Sequence, residues 1–77
     1  MPKLPVVSGK QVVKALQKSG FVIVSQKGSH IKLRRQLADR TETVIVPNHK
    51  SIKPGTLRNG ILKPINLSVA DLIKLLK

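Results

Sequence analysis

A β-hairpin is predicted by residues 21–35, which read FVIVSQKGSHIKLRR. The run from Phe21 to Val24 is aromatic and β-branched, a composition that is typical of a strand. Lys27-Gly28 offers a turn, and apolar and polar residues then alternate from Ser29 to Arg35, as they do in a half-buried strand. The rest of the fold can be inferred outward from these two strands.

The alternation in the second strand places one histidine on a basic surface. His30 falls beside Lys32 and Arg34, while Ile31 and Leu33 point to the opposite, apolar face. Histidine is the side chain whose reference pKa lies nearest neutrality, so it can exchange protons with a phosphate-bearing substrate. We therefore expect His30 to act in proton transfer, with RNA as the simplest substrate.

One helix precedes this hairpin and one strand follows it. Ser8, with Gln11 three residues later, forms a capping box that opens the helix, and Gly20 closes it. A third strand extends from Glu42 to Val46, where Pro47 ends it. The sequence thus predicts a three-stranded antiparallel meander after an N-terminal helix.

Two short helices are predicted after the sheet. Pro54 stands at the first position of one helix, and Pro64 should stop that helix. Ser68 and Asp71, again three residues apart, cap a last helix whose apolar residues keep a helical period. The order is α-β-β-β-α-α, which predicts an α+β fold with helices on one face of the sheet, in a single domain over residues 1–77.

The chain is strongly basic, because 15 lysines and arginines against 3 acidic residues give its 77 residues a formal net charge of +12. Such a charge attracts polyanions through counterion release, so we expect the partner to be a nucleic acid or an acidic protein. Asp39, Glu42 and Asp71 are scattered along the chain and form no recognisable metal centre with the two histidines. We therefore expect chemistry that needs no metal or other cofactor.

Composition also bears on the compartment. No cysteine is present, so the chain needs no oxidising environment to hold it together. The start, Met1 to Val7, is too short and too interrupted by proline to form the apolar core of a signal peptide. No apolar run reaches membrane-spanning length. We expect a cytoplasmic protein that has no membrane partner.

Candidates for RNA binding are the residues beside His30 in the sequence and the basic residues around the predicted start of the helix at Pro54, where a phosphate can bind. A glycine lets a phosphate approach the backbone closely, and lysine or arginine neutralises phosphate charge. His49 lies in a polar loop, where it could bind phosphate, assist protonation or simply be solvated. The candidates for RNA binding are Lys27, Gly28, Ser29, Lys32, Arg34, His49, Lys50, Lys53 and Arg58.

Several spaced motifs occur in order along the chain: Ser8-Gly9-Lys10, Gly20-Phe21, Lys27-Gly28-Ser29-His30, Val46-Pro47, His49 and IKPGTLR at 52–58. From about Ser8 to Leu75 the chain resembles the HicA-type mRNA interferase toxins. The resemblance implies a fold like that of a double-stranded-RNA-binding domain, a catalytic histidine at His30, cleavage of mRNA and inhibition by an antitoxin of the HicB type. Between Arg58 and Leu67 this chain is one residue longer than the family's usual helix and turn.

Residues and resemblance together predict a metal-independent endoribonuclease in which His30 is general acid or base and the ribose 2′-hydroxyl is the nucleophile. Two alternatives use the same basic surface: a non-catalytic module that binds double-stranded RNA, and a DNA-binding protein whose helix from Thr56 to Lys63 enters a groove. Stacking of single-stranded bases is disfavoured, because Phe21 is the one aromatic residue and is expected in the core.

Overall fold

The computed structural model describes residues 3–77. Its elements are α1 (Gly9–Lys18), β1 (Val22–Lys27), β2 (His30–Gln36), β3 (Thr41–Pro47), a π-helix (Thr56–Leu62), a 3₁₀ turn (Lys63–Ile65) and α2 (Val69–Leu76). The three strands form one antiparallel sheet in sequence order. The predicted α+β class, with a fold like that of a double-stranded-RNA-binding domain, is confirmed.

The two faces of the sheet differ as the alternation in β2 predicts. The inner face packs against the helices and is apolar, with the buried side chains Ile31, Leu33, Val44 and Val46. The outer face carries the alternate residues of β2, which are His30, Lys32 and Arg34. Burial of apolar surface on one face therefore fixes which residues the other face presents to solvent.

A two-residue turn of Gly28 and Ser29 joins β1 to β2. Lys27 still pairs with His30, so the turn begins one residue later than the predicted Lys27-Gly28. Gly28 has a φ of +59°, a left-handed conformation that glycine adopts without the steric cost of a Cβ. On its other side His30 pairs with Pro47, which is the last residue of β3. His30 thus begins the middle strand, with a partner on each neighbouring strand.

Helix α1 begins and ends where its sequence signals predict. The backbone N–H of Gln11 donates to Ser8 Oγ at 3.2 Å, and the backbone N–H of Ser8 donates to Gln11 Oε1 at 2.8 Å. Gly20 follows the helix with a φ of +102°, so it ends the helix as predicted. Leu16 of α1 and Phe21 are buried in the same core cluster, which confirms the expected place of the single aromatic ring.

Arg35 links the end of the sheet far from the hairpin turn to α1. Its guanidinium donates to the buried carboxylate of Glu42 on β3 and, through Nη1, to the backbone oxygen of Ser19 at 2.9 Å. The guanidinium carbon also lies 4.6 Å from the centre of the Phe21 ring. The pairing offsets the cost of burying a carboxylate, and it engages one of the three acidic residues in a structural contact.

The segment after β3 departs from the predicted α-helix. Pro54 is its first helical residue, as predicted, but Thr56–Leu62 winds as a π-helix. Each hydrogen bond of a π-helix closes over one more residue than in an α-helix, so each turn of this segment holds more residues than the predicted helix would.

The π-helix ends at Leu62, two residues before Pro64, as the position of this proline predicts, but helical winding continues for one short turn. Pro64 lies inside the 3₁₀ turn that continues the π-helix, at a position near the start of the turn where a missing N–H costs little. The helical path ends two residues later at Asn66, whose φ of +53° is left-handed.

The last helix, α2, follows its capping signal. The backbone N–H of Asp71 donates to Ser68 Oγ at 3.0 Å, and Leu72 of the helix is buried in the core. Within residues 3–77, no helix combines the length and apolarity that crossing a membrane requires.

Candidate functional site

His30 occupies the end of β2 nearest the hairpin turn, and its side chain is exposed on the outer face of the sheet. Strand register sets its neighbours, since Lys27 of β1 and Pro47 of β3 are its direct partners. Side chains of directly paired residues lie on the same face of an antiparallel sheet. The imidazole therefore stands between a lysine and the start of the loop that leaves β3.

A shallow cavity of about 540 Å³ lies on the outer face beside His30. The register brings its lining residues together from all three strands, because Lys32 pairs with Ser25 on one side and with Ile45 on the other. The cavity is lined by Ser25, Lys27, His30, Lys32 and Ile45. Two ammonium groups thus share an open cavity with one imidazole.

A second cavity, of about 460 Å³, adjoins the first and shares His30 and Ile45 with it. Its other wall comes from the loop after β3 and from the start of the π-helix. This wall consists of Pro47, His49, Ser51, Lys53 and Thr56. The two histidines of the chain therefore line one cavity although 18 residues separate them in the sequence.

The loop that carries His49 is held by backbone hydrogen bonds on both sides. The N–H of Asn48 donates to the carbonyl oxygen of Ser29 at 2.6 Å, which ties this loop to the hairpin turn. The N–H of Gly9 donates to the carbonyl oxygen of His49 at 2.9 Å, and Ile52 is bonded to Val7 in the same way at 2.8 Å. The loop is therefore fixed relative to β2 and α1, and His49 is presented from a defined backbone.

Charge at the site is entirely positive. Neither cavity is lined by an aspartate or a glutamate. The acidic residues lie elsewhere, since Glu42 pairs with Arg35, Asp39 pairs with Arg40, and Asp71 lies in the first turn of α2. Among residues 3–77, no cluster of three or more side chains suited to holding a metal ion occurs. The arrangement offers groups for proton transfer and for binding a phosphate.

The structure brings together about half of the predicted RNA-binding residues. Lys27, Lys32, His49 and Lys53 line the two cavities with His30. Gly28 and Ser29 form the adjoining turn, and Lys50 lines a neighbouring depression beside His49.

Two predicted residues lie apart from the cavities. Arg34 is exposed on the outer face but opposes Val22 and Thr43, further along β2 from His30. Arg58 is exposed on the π-helix and lines neither cavity. Sequence separation of a few residues along a strand or helix is therefore enough to remove a basic residue from the site.

Five lining residues were not predicted from the sequence, and one of them, Pro47, pairs directly with His30 across the sheet. Ser25 and Ile45 pair with Lys32 across the sheet, so the strand register could have identified them as neighbours of His30. Ser51 and Thr56 come from the loop and from the start of the π-helix, whose position against β2 depends on tertiary packing. No local pattern in the sequence marks these two.

The family described as HicA toxin of bacterial toxin-antitoxin matches residues 9–67, which is most of the chain. His30 and all the predicted RNA-binding residues fall within the matched region. Neither the curated proteins nor the solved structures gave a significant match.

Proposed function

Because the chain belongs to the HicA toxin family, and is thus the toxin of a toxin–antitoxin pair, we propose that it is a metal-independent endoribonuclease that cleaves mRNA. The observation that supports this most is the position of His30, exposed between two cavities that contain lysines and no carboxylate. This combination suits a phosphodiester that carries its own nucleophile, because the protein then has only to move protons and stabilise negative charge.

The proposed reaction uses the ribose 2′-hydroxyl of RNA. Its oxygen attacks the adjacent phosphorus and loses its proton, while the bond from phosphorus to the 5′-oxygen of the next nucleotide breaks and that oxygen gains a proton. The products are a 2′,3′-cyclic phosphate and a 5′-hydroxyl. His30 is the general base or general acid, a role that contributes a factor of about 10² to 10⁴ in rate.

The lysines around His30 stabilise the negative charge that builds up on the non-bridging phosphate oxygens in the transition state. Lys27 and Lys32 share the first cavity with the imidazole, and Lys53 shares the second. A phosphate between them is flanked by ammonium groups on both sides of His30. We assign phosphate contact to His49, which lines the second cavity from a loop held by Gly9 and Ser29.

We propose that the antitoxin is of the HicB type and inhibits by covering this site. The same absence of carboxylates that favours RNA also favours an acidic protein surface, since both neutralise the same lysines. The toxin would then act in the cytoplasm on mRNA once the antitoxin is removed.

The test is a defined RNA in which one nucleotide at the mapped cleavage position carries 2′-deoxyribose. We expect cleavage at that bond to stop, while cleavage of the all-ribose control continues in the presence of a chelator and leaves 2′,3′-cyclic phosphate ends. Cleavage that continues at the deoxy position, or that a chelator abolishes, would refute the proposed chemistry. Binding of RNA with no cleavage under any condition would support the non-catalytic RNA-binding alternative instead.

A further inference from the structure

A third depression continues the row formed by the two cavities at His30. It is lined by Ser8, Lys10, Asn48, His49 and Lys50, and it shares His49 with the second cavity. No carboxylate lines it. The three depressions therefore adjoin one another through His30 and His49, and lysines line each of them.

This row runs around the end of the sheet. The first cavity is formed by outer-face residues of the strands, whereas the third is formed partly by the first turn of α1, a helix that packs on the inner face. The two sides meet where Gly9 touches the end of β3, since a Cβ at Gly9 would lie 2.8 Å from Asn48 Cα. A ligand that occupies all three depressions must follow this curve.

We propose that the substrate of the ribonuclease is a single strand of RNA that follows this row, and that Lys10 and Lys50 bind backbone phosphates at a subsite remote from the cleaved bond. This inference rests on the proposed function. An A-form duplex is a stiff helix whose two backbones cannot bend around the end of a small sheet, whereas a single strand can follow the curve. We call the two cavities at His30 and the adjoining depression at His49, taken together, the RNA row.

The chain also indicates how the strand is held. Phe21 is the sole phenylalanine, tyrosine or tryptophan and is buried, so no phenyl, phenol or indole ring is available for base stacking. Apart from Ile45 and Pro47, the side chains that line the RNA row carry ammonium, imidazole, hydroxyl or amide groups, which can bind phosphate and ribose. Of the three lysines of α1, Lys10 lines the RNA row, whereas Lys14 and Lys18 line a separate depression against α2.

The test measures binding with RNA that cannot be cleaved. The probe is a uridine dodecamer with 2′-O-methyl groups, alone or annealed to its 2′-O-methyl adenosine complement. The variant Lys10→Ala/Lys50→Ala is compared with Lys63→Ala/Lys74→Ala, which removes the same charge from exposed positions outside the RNA row.

We expect the Lys10→Ala/Lys50→Ala variant to bind the single strand about tenfold more weakly than the control variant, with a salt slope smaller by about 1.4, or about 0.7 per phosphate. Affinity for the duplex should change equally in the two variants. The subsite would be overturned if the two variants bound the single strand equally well. It would also be overturned if Lys10→Ala/Lys50→Ala weakened duplex binding, relative to the control variant, by the same factor as single-strand binding. Because the probe is not cleavable, this result is independent of the chemistry. Failure of the proposed reaction would show with the deoxy-substituted RNA, whereas failure of the wild type to bind the dodecamer would overturn the RNA row alone.

Discussion

Gly9 determines where His49 lies, and it does so because it has no side chain. It is buried at the start of α1 and donates its N–H to the carbonyl oxygen of His49. A Cβ at this position would collide with the carbonyl oxygen of Pro47 and with Asn48 Cα. The close approach of α1 to the end of β3 therefore requires glycine, and the loop of the site depends on that approach.

We predict that Gly9→Ala destabilises the fold by about 1–3 kcal/mol, the usual cost of forcing extra volume into a packed contact. The measurement is the midpoint of urea unfolding. Gly55→Ala is the matched control, because Gly55 has helical dihedrals and open space around its Cβ position. That substitution should stabilise the protein by up to about 1 kcal/mol. Equal effects of the two substitutions would contradict the role assigned to Gly9.

His30 and Gly9 differ in how far their roles could be predicted from the sequence. Alternation within β2 was sufficient to place His30, Lys32 and Arg34 on one exposed face, because strand periodicity is local. The role of Gly9 was not predictable in this way, since it arises from contact with Pro47, 38 residues further along the chain. Local patterns identify which face a residue occupies, and tertiary contacts identify what it approaches.

Among the helices and strands, the π-helix is the one that α-helical periodicity in the sequence describes least well. Its buried residues are Leu57, Ile61 and Leu62, at spacings of four and five from the first. An α-helix presents residues three and four apart on one face, whereas the wider π-helix brings residues four and five apart together. The resemblance predicts one additional residue between Arg58 and Leu67, but no local pattern in the sequence predicts that this segment winds as a π-helix.

Deletion of Gly60 should therefore convert this segment to an α-helix. The apolar spacing from Leu57 becomes three and four, so the same side chains stay in the core, and we expect the free energy of unfolding to fall by less than about 1 kcal/mol. Circular dichroism and urea unfolding provide the measurement. Deletion of Ala70 from α2 is the control, because it moves Leu72 by about 100° around a regular helix and should cost clearly more. A Gly60 deletion as damaging as the control would contradict this account.

At the scale of the whole molecule, the distribution of charge matters more than its total. The formal net charge of +12 is carried on a body whose principal extents are 30 × 29 × 21 Å. Glu42 is buried in a structural ion pair, and none of the three cavities of the RNA row contains a carboxylate. Positive potential is therefore uncompensated at the end of the sheet where His30 lies.

Element order, sheet topology and the basic outer face were all predictable from the sequence, because each depends on local periodicity and capping. The grouping of Lys10, His30 and His49 was not, since these residues come from α1, β2 and the loop after β3. Their proximity results from packing the helix and the strand ends together. The composition predicted a polyanionic partner, and the assembled fold places the lysines of three adjoining depressions at one end of the sheet.

In the proposed reaction His30 transfers protons during RNA cleavage. This role is tested by comparing single-turnover cleavage of RNA by the wild type, His30→Ala and His49→Ala at saturating protein. We expect His30→Ala to lower the rate by a factor of about 10² to 10⁴. Its circular dichroism and its affinity for uncleavable RNA should match the wild type, whereas His49→Ala should weaken affinity and retain cleavage. A His30→Ala protein that is folded and cleaves RNA at the wild-type rate would contradict the account.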